Sequence, residues 1–313
     1  MHRIRQAGGI LTAPIGVVLS RDGGTYRVLL DGREQVAILR GKAKRGDDRA
    51  VAGDRVQIDP ATLADDVLAI ERVEERTSLL ARRVPDGRGT RPVAANVDQV
   101  IVVTAAANPA PVPQLIDRLI TVAEANDIPV SVIVNKTDLA PADAIADHLQ
   151  QAGYRVIAAA AKAGVGLEAL RTLLANKVSV FTGPSGAGKS SLLNALEPGL
   201  GLRVGEVSRK VGRGTHTTVT AAMVPLAVGG FVVDTPGFSD VGVWDLDADQ
   251  LASCFPEMRA VAGQCRFDNC LHKGTEPRCA VRELVSSSGI PLARYQSYLA
   301  ILAELEAAPA DWE

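Results

Sequence analysis

The chain has 313 residues, of which 47% are hydrophobic and 22% charged, and its formal net charge is −2. That length holds two or three domains with real cores, and that balance is that of an ordinary soluble protein rather than a polycation. No apolar run approaches the ~18 residues of a membrane span, and Pro14 interrupts the only stretch, Gly8 to Leu19 after Arg3 and Arg5, that resembles a signal peptide.

Charge is unevenly spread along the chain. Residues 1 to 49 carry ten Lys or Arg against five acids, whereas the tail after Arg294 carries acids only. A basic N-terminal module serves as a nucleic-acid surface or as a solvated face. From Ile15 to about Leu80 the sequence runs in short β-type segments, IGVVLS, YRVLL, QVAIL, DRVQI and VLAIERV, separated by polar turns. Five such strands predict a small barrel of the OB type, a fold that binds single-stranded or structured RNA. The loop Arg40 to Arg49 is its best phosphate-contact candidate. Tyr26 is the only aromatic residue of this module, which favours backbone or shape contacts over base reading. Arg82 to Arg91 reads as an exposed linker, so the chain divides into an RNA-binding barrel over 1–82, a nucleotide domain over 83–242 and a tail domain over 243–313.

The middle of the chain alternates buried strands with helices. Val97 to Thr104 is a continuous apolar strand, Gln114 to Asn126 has helical spacing, and Pro129 to Val134 is a second buried strand. Strand, helix, strand is a βαβ unit, whose ligands sit beyond the carboxyl ends of the strands. At that place stands Asn135-Lys136-Thr137-Asp138. The Asp138 carboxylate matches the two donors that guanine presents at N1 and its 2-amino group and adenine does not. Asn135 would bond the base edge and tie neighbouring loops together, and the Lys136 stem would lie over the ring. After a helix from about Pro141 to Gly153 and a strand from Val156 to Ala159 comes Ala160-Ala161-Lys162, a second guanine loop whose middle amide would meet the base carbonyl.

The helix Leu167 to Leu174 and the apolar run Val178 to Phe181 lead into Gly183, Pro184, Ser185, Gly186, Ala187, Gly188, Lys189, Ser190 and Ser191. The spacing GxxxxGKS between strand and helix is the phosphate-binding loop signature. Glycines turn the backbone so that N–H groups face a polyphosphate, and the helix that follows offers its positive N-terminal end. Lys189 would lie along the β- and γ-phosphates and Ser190 would ligate Mg²⁺. Base-reading motifs thus precede the phosphate loop, whereas most GTPases have the reverse order. The sheet can be unchanged if only the connections differ, so the predicted fold is an α/β, circularly permuted GTPase domain.

Gly199 to Thr220 has the texture of a switch segment, and in it Thr217 or Thr218 completes the Mg²⁺ shell, with Thr217 preferred. Phe231 to Val233 ends in Asp234-Thr235-Pro236-Gly237, where Asp234 would hold Mg²⁺ through water and the Gly237 amide would sense the γ-phosphate. Phe238 stands where many GTPases carry a water-orienting glutamine, which predicts slow intrinsic hydrolysis accelerated by a partner or by another residue such as His216. The four cysteines fall within positions 254 to 279. Cys265, Cys270, His272 and Cys279 have the ligand types and close spacing of a closed structural zinc site in a reducing cytoplasm, and Cys254 is left over as a core thiol. Pro291 to Ala307 forms a helix with Leu292, Tyr295, Leu299 and Leu302 on one face.

Barrel, Asn96-Val97-Asp98-Gln99, NKTD, GPSGAGKS, HTT, DTPG and the CxxxxCxH…C cluster, in that order, resemble the RsgA (YjeQ/EngC) family over almost the whole chain. The departures are Ala160 in place of a serine and the six-residue gap before Cys279. The resemblance implies a monomeric cytoplasmic GTPase that uses GTP/GDP, Mg²⁺ and one Zn²⁺. It also implies docking on the small ribosomal subunit and its rRNA, with hydrolysis stimulated by the subunit during late maturation. It leaves two rivals: a P-loop ATPase or kinase, and an RNA-binding assembly protein for which GTP is mainly a conformational ligand. Because the switches run straight into the tail domain, the γ-phosphate is expected to reorient that domain.

Overall fold

The computed structural model describes residues 13–40, 49–83, 90–200, 221–234 and 246–307. Strands β1 (Ile15–Asp22), β2 (Thr25–Leu30), β3 (Arg33–Leu39), β4 (Arg55–Ile58) and β5 (Val67–Val73) close into a barrel in the order β1-β2-β3-β5-β4. All pairs are antiparallel except β3 with β5. Alternation builds its core: in β2, Tyr26, Val28 and Leu30 point inward while Thr25 and Arg27 stay in solvent. Tyr26 is only 4% exposed, so the single aromatic ring of the barrel is a core residue and not a stacking surface.

The linker expectation for Arg82 to Arg91 is corrected in part. Its ends are strands β6 (Leu79–Arg83) and β7 (Thr90–Ala95), paired antiparallel as a hairpin. Leu80 lies opposite Ala94, and both are buried. The short apolar feet of the hairpin, too few to read as strands alone, are fixed by packing between barrel and sheet.

The central sheet has the order β10-β9-β8-β11-β13-β12. Its members are β8 (Gln99–Ala105), β9 (Val130–Asn135), β10 (Arg155–Ala158), β11 (Lys177–Thr182), β12 (Ala222–Pro225) and β13 (Gly230–Asp234). All run parallel but the edge strand β12, which pairs antiparallel with β13. Helices α1 (Pro113–Glu124), α2 (Asp143–Gln151), α3 (Leu167–Leu174) and α4 (Lys189–Leu196) connect the strands. Every residue of β8 is buried, and its side chains divide by parity. Val100 and Val102 join the core that contains α1 and α2, whereas Ile101 and Val103 join the core of α3 and α4. This layering aims the carboxyl ends of β8, β9, β10, β11 and β13 at one rim, which is where Asn135, Ala160, the phosphate loop and Asp234 stand.

Asn96 ties the start of the sheet domain to the barrel and the hairpin, while Asp98 and Gln99 tie β8 to β11 and α3. Asn96 Nδ2 donates to the Gly53 carbonyl (2.9 Å), and its Oδ1 accepts from the Thr77 amide (2.9 Å). Asp98 Oδ2 accepts from the Val178 amide (2.7 Å), and Gln99 Nε2 donates to Leu173 O (2.8 Å) and Ser179 Oγ (2.9 Å).

The C-terminal residues form α5 (Pro256–Arg259), α6 (Ala280–Ser286) and α7 (Leu292–Ala307). The buried face of α7 is Arg294, Ser297, Tyr298, Ile301 and Leu302, and Leu292 is 60% exposed. The expected apolar face is therefore rotated, because a buried arginine anchors the helix where hydrophobic periodicity looks only for carbon. Arg294 is fully buried between Asp117 of α1 (2.6 Å) and Glu257 of α5 (2.7 Å). Its guanidinium lies 4.6 Å from the ring centroid of Phe255. Phe255, Met258, Tyr298 and Ile301 belong to the same continuous core as Ile116, Leu119 and Val100.

Candidate functional site

At the carboxyl end of β9, Asn135 is 1% exposed and makes two ties. Its Nδ2 donates to the Ala187 carbonyl of the phosphate loop (2.9 Å), and its Oδ1 accepts from the Ala161 amide (3.2 Å). One side chain thus fixes the distance between three loops that approach from β9, β10 and β11. Thr137 closes the same rim by donating its amide and its hydroxyl to Ala159 O (both 3.1 Å). Ala160, buried, bridges Val165 and shapes the loop that presents Ala161 and exposed Lys162. The Ala161 amide, expected to face a base carbonyl, is turned toward Asn135.

Lys136, with φ 63°, donates its ammonium to the Asn108 carbonyl. Asp138 is exposed and has no protein partner among the described residues, which leaves both carboxylate oxygens available as acceptors. Among the described residues that carboxylate has no structural use, in contrast to the two ties of Asn135.

The phosphate loop follows β11. Gly183 (φ 138°) passes so near β8 that a Cβ would lie 2.0 Å from Val103 O, and a Cβ at Gly188 (φ 95°) would lie 2.1 Å from Asn135 Nδ2. Only glycine permits both approaches. Pro184, Ser185 and Gly186 cross the outside of the loop, Ala187 is buried, and Ser190 and Ser191 lie in the first turn of α4. Lys189 Nζ donates to Gly183 O (2.5 Å) and Pro184 O (3.1 Å). Burial lowers the Lys189 pKa, opposed by the nearby Asp234 charge, and burial pushes Asp234 up to about 7, opposed by Lys189. The two are charge partners at the start of α4 and the end of β13, and Ser190, the second residue of α4, is buried. This arrangement offers a polyphosphate a cradle of amides with a cation, and offers a divalent ion oxygen donors. His216, Thr217, Thr218, Gly237 and Phe238 lie outside the described residues, as does the barrel loop 41–48.

About the second candidate centre, the ligand atoms of Cys265, Cys270, His272 and Cys279 all lie within 4.8 Å of one another. Cys265 Sγ is 3.6 Å from His272 Nδ1, Cys279 Sγ is 3.4 Å from it, and the two sulfurs are 4.0 Å apart. A tetrahedral zinc with Zn–S of ~2.3 Å and Zn–N of ~2.0 Å requires edges of roughly 3.5 to 3.8 Å. The separations among Cys265, His272 and Cys279 lie close to those edges, and with Cys270 within 4.8 Å the donor set could hold that ion. Burial raises the Cys270 thiol to about 12, raises Cys279 and lowers His272, so these groups are neutral unless a cation draws off their protons. Tyr295 and Tyr298 of α7 donate to the carbonyls of His272 (2.6 Å) and Leu271 (2.8 Å), holding the loop that carries the imidazole. Cys254 is buried apart from this cluster, its thiol raised to about 11 by burial.

Two features of these sites are not among the motif residues. The loop from Ala106 to Val112 bonds to Asn135 and Lys136 and runs beside Gly186 of the phosphate loop; its position after a buried parallel strand is the signal that could have marked it. The Asp117, Glu257 and Arg294 triad has no spacing signature, since its members come from three distant helices.

A sequence model described as RsgA GTPase matches residues 73–244. The chain is 45% identical to the small ribosomal subunit biogenesis GTPase RsgA of Gemmatimonas aurantiaca, covering 94% of this chain and 98% of that one. It is 42% identical to the protein of the same description from Moorella thermoacetica, over 93% of this chain and 97% of the other. Among solved structures, YjeQ from Thermotoga maritima superposes with a TM-score of 0.78 at 32% identity, covering 95% of this chain and 99% of the other. YloQ, described as a circularly permuted GTPase, gives 0.76 at 28% identity, over 97% of this chain and all of the other. Rim geometry, strand order and these matches agree: the chain belongs to the RsgA GTPase family.

Proposed function

We propose that this GTPase binds the small ribosomal subunit, assists its late maturation in the cytoplasm, and hydrolyses GTP to GDP and phosphate when the subunit stimulates it. The names of its relatives support the subunit as partner. The observation that carries the chemistry is the double tie of Asn135, which sets the base-reading and phosphate-binding loops at fixed spacing before any ligand is considered. Asn135, Lys136, Thr137 and Asp138 hold guanine, with Ala160, Ala161 and Lys162 lining the base. Residues 183 to 191 hold the phosphates, and Lys189 offsets their charge. Ser190, Thr217 and Asp234 would hold Mg²⁺, whose contribution is to neutralise charge that develops on the phosphate oxygens. Gly237 senses the γ-phosphate, and His216 is the candidate for ordering the attacking water.

Cys265, Cys270, His272 and Cys279 would hold one structural Zn²⁺. The barrel of residues 1–82 and the tail of residues 243–313 flank the GTPase domain of residues 83–242 and dock a monomer on rRNA. With Tyr26 buried, the barrel is left to contact RNA through backbone and charge. Sedimentation of the protein with purified small subunits tests the partner directly. Binding in the presence of a non-hydrolysable GTP analogue should exceed binding in GDP by tenfold or more, roughly a coupling of 1.4 kcal/mol. Equal binding in both states would reduce GTP to a passive ligand.

A further inference from the structure

We propose that α1 links guanine occupancy to the seating of the zinc-cluster helices, by a route that does not pass through the switches. The route starts in the loop between β8 and α1. The Ala106 amide donates to Asn135 O (2.8 Å), Lys136 donates to the Asn108 carbonyl, and a Cβ at Gly186 would lie 3.3 Å from Pro109 Cδ. Any group seated over the Lys136 stem therefore bears on a loop that continues into Pro113, the first residue of α1. One turn later Asp117 meets Arg294 Nη1 at 2.6 Å, while Arg294 Nε and Nη2 reach Glu257 at 2.7 and 3.2 Å. The adjacent residues of α7, Tyr295 and Tyr298, hold the carbonyls of His272 and Leu271.

Asp117 and Arg294 are fully buried, so this contact does not loosen by degrees. Shifting α7 off α1 exposes an apolar core or strands a charge without its partner, which makes the seat effectively two-state. A ligand that steadies the β8–α1 loop favours the seated form, and linkage requires the seated form to favour that ligand equally. The switches answer to the γ-phosphate. This route answers to the base, so GDP and GTP should act through it alike.

The inference rests on Asn135 to Asp138 taking guanine, and one experiment separates the two. Hydrogen exchange is measured on the full-length protein alone, with GDP, and with a non-hydrolysable GTP analogue. Amides of 135–138 report base binding, those of α7 report the seat, and those of β5 in the barrel are the internal reference. Both nucleotides should slow α7 exchange at least about threefold and to the same extent, with β5 unchanged. In Arg294→Lys, which keeps the charge but loses the fork across two carboxylates, 135–138 should still respond while α7 does not, and GDP should bind threefold to tenfold more weakly. Slowing of α7 by the GTP analogue alone would assign the coupling to the switches and overturn the proposal, as would equal slowing in β5. An unresponsive 135–138 would overturn the guanine reading and this inference with it.

Discussion

Asn135 and Asp138 stand three positions apart and are fixed by opposite circumstances. Asn135 is buried with both ends of its amide used, while Asp138 is exposed with no protein partner among the described residues. A carboxylate without a partner among the described residues can take a ligand's donors. If Asp138 reads guanine, Asp138→Asn would replace one of the acceptors for N1 and the 2-amino group by an amide donor. Titration with fluorescent nucleotides should show GDP binding weakened about 10- to 100-fold and xanthosine diphosphate, which has a carbonyl at position 2, now preferred. Unchanged GDP affinity would remove Asp138 from the site. A second residue-scale expectation concerns Asp234, whose carboxyl burial raises to about 7 against an unfolded value near 3.8. Between these values the folded chain holds a proton that the unfolded chain has lost, so this group's contribution to stability falls as pH rises from about 4 to 7. The limiting slope is ~1.4 kcal/mol per pH unit. Denaturant unfolding of nucleotide-free Asp234→Asn across that range should lack this decline, and parallel profiles for both proteins would exclude it.

At the scale of elements, the strands and helices of the sheet were legible because their periods are unambiguous: β8, β9 and β11 are continuous apolar runs, and α3 repeats leucine at helical spacing. The β6–β7 hairpin was not, since its Gly/Pro-rich tip dominates a sequence window whose apolar feet are only a few residues long. The antiparallel edge strand β12 was missed for a similar reason, being four residues long. In α7 the error lay in the anchor, for Arg294 reads as solvent-facing until Asp117 and Glu257 are brought to it from elsewhere in the chain. The cysteine cluster was legible because ligand spacing survives without any knowledge of packing. Its loop contains little regular structure to hold it, so the metal should be a substantial part of its stability. Elemental analysis should return one zinc per chain, and Cys270→Ser should lower zinc content and reduce the Tm by ~5 °C or more. A Cys270→Ser protein with full stability would make the cluster an ordinary set of core thiols.

For the whole molecule, permuted order and preserved sheet are two sides of one fact: the described nucleotide-motif residues follow the carboxyl ends of β9, β10, β11 and β13, and the rim is the same whichever connection is cut. Gly183 to Ser191 adjoins Asn135 across space although nearly fifty residues separate them in sequence. The sequence also suggested that the tail domain swings on the switches. The packing of α7 on α1, with Arg294 buried between them, also fastens the tail to the nucleotide domain, and a single core runs from the hairpin through the sheet to Tyr298. Signals that reach the tail therefore have a packed route as well as a chain connection. Phe238 has no amide side chain with which to orient a water, which is why slow turnover is expected of the protein alone. Subunit-stimulated hydrolysis is put to the test by multiple-turnover GTP hydrolysis at saturating GTP, measured alone, with small ribosomal subunits and with large subunits. Turnover should be slow alone, rise at least tenfold with small subunits, a difference of ~1.4 kcal/mol in barrier, and not rise with large ones; a rate indifferent to small subunits would exclude the subunit as activator.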